Sequence, residues 1–211
     1  MSEPVRWWCL YSLVVLSLAG TGQIGNAQAE TWTPGGATPG QWYFGGRVGP
    51  STLTQSLNSD LDSATGPTLN FQGMYGVTDW MAVGLMLEWE RHGIDQERPR
   101  RDLGSMDTVS LLPTVEVRPG HFGSVYPYVS MGLGVNVNSF SEDRSAPRVS
   151  PSNNFAFRLA AGGDYFITKA IALNSEFAWK RNDGHADIGG IRTNDWNASS
   201  FAWLVGVKWF Y

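Results

Sequence analysis

Residues 201–211 read FAWLVGVKWFY. Every second position is apolar and large: Phe201, Trp203, Val205, Val207, Trp209 and Tyr211. The positions between them include Ala202, Gly206 and Lys208. A period of two is the mark of a strand with two unlike faces. Here one face is bulky and apolar, and the other is small or charged.

The same pattern recurs upstream. Strands are predicted at Gln41–Gly49, Thr68–Tyr75, Trp80–Arg91, Asp107–Arg118, Tyr126–Phe140, Asn154–Phe166, Ala170–Arg181 and Ser199–Phe210. No helical period competes with them. The connections alternate strictly. Short ones (GVTD, PGHFGSV and ITK) are interleaved with long ones at 50–67, 92–106, 141–153 and 182–198. In an up-and-down barrel every other turn lies at the same end, so one rim carries tight turns and the other long loops. The predicted fold is therefore all-β, an eight-stranded antiparallel up-and-down transmembrane barrel.

Two barrels share this alternation. In a soluble lipocalin-like barrel the apolar face lines a ligand cavity, and Gly40-Gln41-Trp42 matches that family's G-x-W. In a membrane barrel the apolar face meets lipid. Size separates them. The apolar face carries Leu85, Leu87, Trp89, Met131, Phe157, Phe177 and Trp179, whereas the other is rich in Gly, Ala and Ser. Small residues belong on the concave side of a narrow barrel. The small face also holds ten charges: Arg47, Arg118, Arg158, Lys180 and Lys208 against Glu88, Glu90, Glu116, Asp164 and Glu176. Equal numbers suit a buried, mutually paired network, because an unpaired buried charge is costly. Such a network predicts a lumen plugged by side chains, with Lys208 next to a carboxylate. Aromatics near strand ends (Trp42, Tyr75, Trp80, Trp89, Tyr126, Tyr165, Trp179, Trp209, Tyr211) fit two interfacial girdles. Pro113 falls mid-strand and removes a ladder donor; a bulge or an unpaired position is expected there.

Residues 1–29 read as a cleavable signal peptide: Arg6, an apolar run from Trp7 to Gly20, then Ala27-Gln28-Ala29. The run is too short to span a bilayer comfortably, and Cys9 lies at its start, not at its end where a lipoprotein is acylated. Residues 30–40 form a Pro/Gly-rich lead-in, and 41–211 the barrel. The net charge of −4 argues against nucleic acid.

The eight strands, the turn YGVTDW, the strand PYVSMGLGV, the hairpin GDYFITKAIALNSEFAW and the ending GVKWFY resemble eight-stranded outer-membrane barrels of the OmpA/OmpX type, with OmpW-type barrels close in pattern. The resemblance covers 41–211. It implies a Gram-negative outer-membrane location, contact with lipid and lipopolysaccharide, and a monomer. It also implies recognition of Phe201, Trp203, Val205, Val207, Trp209 and Tyr211 by the barrel-assembly machinery, with Tyr in place of the usual final Phe. An OmpW-like barrel would pass small apolar solutes, and some barrels of this architecture modify lipids using a rim histidine.

For chemistry, His92 near Asp95, and His185 near Asp183 and Asp187, are the candidates, and His121 sits in a short turn. None has a nucleophile at motif spacing, so the reading is ordinary loop polarity and no enzyme. Three dispersed histidines give no metal spacing, and no cofactor is expected. The basic stretch ERPRRD, residues 97–102, reads as a solvated loop.

Overall fold

A computed structural model describes residues 38–54, 61–63, 65–97, 100–142, 149–188 and 191–211. The segment read as a signal peptide, and residues 30–37 of the lead-in, lie outside the described residues.

Among the described residues twelve strands form: β1 (Trp42–Leu53), β2 (Leu61–Ser63), β3 (Gly66–Thr78), β4 (Met81–Glu97), β5 (Arg100–Val117), β6 (Val125–Glu142), β7 (Val149–Pro151), β8 (Asn154–Phe166), β9 (Ile171–Arg181), β10 (Asp183–Ile188), β11 (Ile191–Asn197) and β12 (Ser200–Phe210). Eight of them close a ring in the order β1–β3–β4–β5–β6–β8–β9–β12, every pair antiparallel. The seam is β12 against β1, from Tyr43 opposite Phe210 to Leu53 opposite Ser200. Beyond it, Trp42 and Tyr211 exchange backbone bonds of 3.2 and 2.8 Å. Closure removes the sheet edges that would otherwise pair with other chains.

The apolar face is outside. Phe71, Phe177 and Trp209 are 58%, 53% and 52% exposed, while Lys208 and Asp164 are fully buried. An apolar exterior of this extent excludes the lipocalin-like arrangement. From Phe201 to Tyr211 the chain rises about 33 Å at about 3.3 Å per residue. A tilt of about 40° leaves roughly 25 Å, the height of the lipid-facing band in such barrels. At the short-turn end Trp42 packs on Tyr75 at 5.1 Å and Trp209 on Tyr211 at 6.0 Å. At the other end Trp89 donates its indole N–H to Asp107 at 3.1 Å. The ring thus keeps a polar partner where the lipid stops.

The turns follow their residues. Between β8 and β9 the Thr168 hydroxyl accepts from the backbone N–H groups of Ala170 and Ile171 at 3.2 and 3.0 Å. This side-chain turn spares the backbone a longer loop.

Pro113 is accommodated without a bulge. The β5–β6 ladder runs to Leu111 opposite Val135 and resumes at Thr114 opposite Gly132, so Leu112 and Pro113 lack partners in β6 while the register is unchanged. The Thr114 hydroxyl donates to the Leu112 carbonyl at 2.8 Å, replacing a ladder bond. Gly134 faces the gap. A Cβ there would sit 1.9 Å from the Leu111 carbonyl oxygen, so only glycine admits this approach.

The long loops differ from expectation. The segment 92–106 is mostly paired strand, with β4 and β5 continuing to Glu97 opposite Arg100. Within 182–198, β10 and β11 form a hairpin, and β7 pairs with β10 to make a three-stranded sheet. The segment 50–67 contributes the end of β1, β2 and the start of β3. Past the lipid the outward face no longer has to be apolar, so the pattern weakens in the sequence, although Ser51, Leu53, His92 and Ile94 keep the inward register.

Candidate functional site

The inward register brings the ten charges together. Each is at most 3% exposed, and each makes at least one ion pair. They fall into two groups, each electrically neutral.

Nearer the short-turn end is a ring of four. Lys208 Nζ lies 3.1 Å from Glu116 Oε2 and 3.1 Å from Asp164 Oδ2. Arg118 Nη2 lies 2.5 Å from Glu116 Oε1 and 2.7 Å from Asp164 Oδ2. Among the described residues Arg118 Nη1 has no hydrogen-bond acceptor. The guanidinium instead lies over Tyr43 at 5.2 Å and Phe210 at 5.5 Å, where ring faces attract a cation.

Further out is a chain of six with alternating sign: Arg47, Glu176, Arg158, Glu88, Lys180, Glu90. Arg47 pairs with Glu176. Arg158 bridges Glu176 at 2.6 Å and Glu88 at 3.0 Å. Lys180 bridges Glu88 at 3.2 Å and Glu90 at 2.9 Å. Tyr128 couples the two groups. Its hydroxyl accepts from Arg47 at 3.2 Å and Asn174 at 2.9 Å and donates to Glu176 at 2.8 Å, while Asn174 also donates to Asp164 at 2.6 Å. The remaining lone pairs are met by neutral donors: Tyr43 on Glu116 at 2.8 Å, Asn70 on Glu88 at 2.9 Å and Ser200 on Glu90 at 3.0 Å. Pairing plus hydrogen bonding is what makes burying ten charges tolerable.

Small inward residues provide the room. A Cβ on Gly162 would lie 2.7 Å from the Tyr128 hydroxyl, so that glycine makes space for the coupling residue.

Packed side chains occupy both ends of the lumen. At the short-turn end the rings of Tyr43, Phe210, Phe166 and Tyr126 meet in series at 4.9, 4.8 and 5.0 Å, so Tyr126 faces the lumen and not the interfacial girdle. At the outer end Leu53, Ile94, Met106, Ala186 and Ala198 form an apolar cap, with Phe140 against it. Below the cap on one side is an amide layer: Asn138 and Asn182 exchange bonds of 3.1 and 2.9 Å, and Asn154 donates to Asn182 at 2.7 Å.

His92 is not in a loop. It is on β4, buried within the lumen, because the inward register continues past Glu90. Its Nε2 is 3.5 Å from Ser51 Oγ and 3.9 Å from Glu90 Oε2. Hydroxyl and carboxylate thus approach the same ring nitrogen. The cluster also lies beneath the cap, away from lipid. His185 is half-buried on β10, and the side chains of Asp95 and Asp187 lie outside the described residues. His121 stacks on Tyr126 at 5.0 Å. Among the described residues no group of three His, Cys, Asp or Glu is arranged to hold a metal.

Several contributors escape a reading by segments. Ser51, Leu53, His92 and Ile94 lie beyond the predicted strand ends, and counting on in twos from Arg47 and Glu90 would have found them. Leu112 and Leu204 are apolar yet inward and buried.

On the outer surface a cleft of about 490 Å³ is lined by Thr54, Trp179, Arg181, Asp183, Asn197 and Ser199. Arg181 and Asp183 pair there through two bonds, 2.5 and 2.7 Å.

A closed ring of eight antiparallel strands, apolar outside and filled with paired charges inside, defines a transmembrane β-barrel of the outer-membrane type. The chain belongs to the family described as the outer membrane protein beta-barrel domain, whose family model matches residues 13–208. Among solved structures it is similar to OprG from Pseudomonas aeruginosa, at 14% identity and a TM-score of 0.61, covering 83% of this chain and 98% of that one. It is similar to Neisserial surface protein A, at 15% identity and a TM-score of 0.59, covering 81% and 98%. It is also similar to the outer membrane protein AlkL, at 18% identity and a TM-score of 0.57, covering 89% and 97%. At these identities the likeness is one of fold. No curated protein matches the chain.

Proposed function

We propose that this outer-membrane barrel is a non-enzymatic, non-conducting scaffold that holds a β-structured surface at the outer rim for contact outside the cell. One observation carries the reading: the lumen holds two neutral ion-pair groups, with packed apolar and aromatic side chains towards both ends. Eight strands enclose a space that side chains can fill. The finer parts of the reading follow the family resemblance. The protein is exported with cleavage near Ala29, is monomeric, and touches outer-membrane lipid and lipopolysaccharide. Phe201, Trp203, Val205, Val207, Trp209 and Tyr211 serve as its assembly signal.

The test is planar-bilayer conductance of the full folded chain. The expected result is no steady current. A steady current abolished by changing Glu116 or Arg158 refutes the scaffold reading.

A second reading has support of its own. The outer mouth is lined by Leu53, Ile94 and Met106 where a water-filled channel would be polar. This favours passage of small apolar solutes, as in OmpW-like barrels. Uptake of an apolar solute by cells expressing the protein, lost in Ile94→Asp, would establish it.

A further inference from the structure

The lipid-facing surface is not uniform around the barrel. On β4 and β5 the outward residues of the outer half are mainly aliphatic: Leu85, Leu87, Val109 and Leu111. On β8, β9 and β12 they are mainly aromatic. Phe177 stacks on Phe201 at 6.2 Å and on Trp203 at 6.0 Å, and Phe157 meets Trp179 edge-on at 5.9 Å. Register ties this strip to the rim: Phe201 lies opposite Trp179, Trp203 opposite Phe177, and Phe157 opposite Arg181. The strip therefore runs directly into the cleft lined by Trp179, Arg181 and Asp183.

We propose that cleft and strip together bind one glycolipid of the outer leaflet, with its saccharide headgroup in the cleft and an acyl chain along the rings. The cleft volume, about 490 Å³, lies within the range of small-molecule sites. It lies just above the Trp179 level, where headgroups sit. Its chemistry favours hydroxyls over phosphate. Arg181 is engaged through Nε and Nη2 by the Asp183 carboxylate, so the pair is neutral as a whole. An incoming anion would meet a carboxylate already in place on the guanidinium, and like charges side by side repel. A sugar meets a fixed set of neighbouring donors and acceptors: the guanidinium, the carboxylate, and the hydroxyls of Thr54 and Ser199. The Trp179 ring, 37% exposed, offers a flat apolar wall of the kind sugar C–H faces cover. This inference names a site for the lipopolysaccharide contact proposed above and takes from that reading only the outward direction of the long-loop rim.

The experiment is native mass spectrometry of the full folded chain in detergent. Three lipids are offered separately: a deep-rough lipopolysaccharide, the same lipid after phosphatase treatment, and phosphatidylglycerol. Heat-modifiable migration, read on the same samples, reports the barrel itself, so loss of fold is told apart from loss of the site. The expected result is one glycolipid adduct that survives dephosphorylation, with no matching phosphatidylglycerol adduct. Trp179→Leu and Asp183→Ala should each reduce it at least about tenfold, the effect of losing a central binding contact. Trp89→Leu, in the same girdle on the far side, should not. Asp183 lies above the lipid band, so its variant keeps the test open if Trp179→Leu fails to fold. Four outcomes overturn the proposal: no wild-type adduct, an adduct unchanged in both variants, equal loss in Trp89→Leu, or loss on dephosphorylation.

Discussion

Arg158 joins the two halves of the six-charge chain, and its removal tests whether the lumen is held by paired charges. Arg158→Met takes away the bonds to Glu88 and Glu176, 3.0 and 2.6 Å long. Two charge-assisted bonds at about 1.5–3 kcal/mol each give roughly 3–6 kcal/mol. Breaking a buried pair from one side costs about 3–5 kcal/mol. Both carboxylates keep other partners: Glu88 has Lys180 at 3.2 Å and Asn70 at 2.9 Å, and Glu176 has Arg47 and Tyr128. The expected cost therefore lies at the low end, about 3 kcal/mol. What remains is Arg47 and Lys180 against Glu88, Glu90 and Glu176, one negative charge in excess. Adding Glu88→Gln restores balance, with Arg47 on Glu176 and Lys180 on Glu90. The double variant should regain at least about 1 kcal/mol over Arg158→Met, although Glu88→Gln alone destabilises. Urea unfolding of the barrel in phospholipid vesicles, followed by heat-modifiable migration, measures all four corners of the cycle. A cost below about 1 kcal/mol for Arg158→Met, or a Glu88→Gln effect identical in both backgrounds, refutes the coupled-network account.

Further outcomes are expected from other parts of the barrel. Ile94→Ala opens a hole in the outer cap and should cost about 2–5 kcal/mol in the same unfolding assay. Gly162→Ala drives a methyl to within 2.7 Å of the Tyr128 hydroxyl and 2.6 Å of the Ser175 carbonyl oxygen, and should cost about 1–3 kcal/mol. Pro113→Val restores a backbone donor at the gap in the β5–β6 ladder and should add about 0.5–1.5 kcal/mol, with slowed amide exchange at position 113 in the folded protein. Tyr211→Ser should slow appearance of heat-modifiable protein in outer-membrane fractions while leaving refolding into detergent unchanged; equal slowing in both would assign the residue to stability alone.

The parts of the fold legible in the sequence are those that lipid enforces. Phe201, Trp203, Val205, Val207 and Trp209 alternate with mainly small or charged residues because the bilayer penalises a polar side chain on the outward face. Beyond Trp89 and Trp179 lipid no longer enforces the outward face, so the paired extensions of β4 and β5 and the β10–β11 hairpin are harder to read, although His92 and Ile94 keep the inward alternation. His92 shows the cost at the boundary: it falls one residue past a predicted strand end, yet it is buried in the lumen. Ten charges could be counted on the small face, but not their partners. Lys208 on β12 meets Glu116 on β5 across the barrel, a relation set by curvature and not by register. Leu112 and Leu204 broke the polar pattern of the inner face and gave no sign of direction.

The ion pairs and hydrogen bonds of the lumen also bear on how the barrel comes into being. Arg47 and Glu176 are 129 residues apart, Ser200 and Glu90 110, and Lys208 and Glu116 92. None of these contacts exists in a hairpin or a half-formed sheet. An open sheet inserted in lipid would turn unpartnered charges toward hydrocarbon, so partial structures gain little until the last strand meets the first. Closure of the β1–β12 seam is then the step that neutralises the interior, and the barrel should assemble as one cooperative event, with few stable way-stations between the unfolded chain and the complete ring.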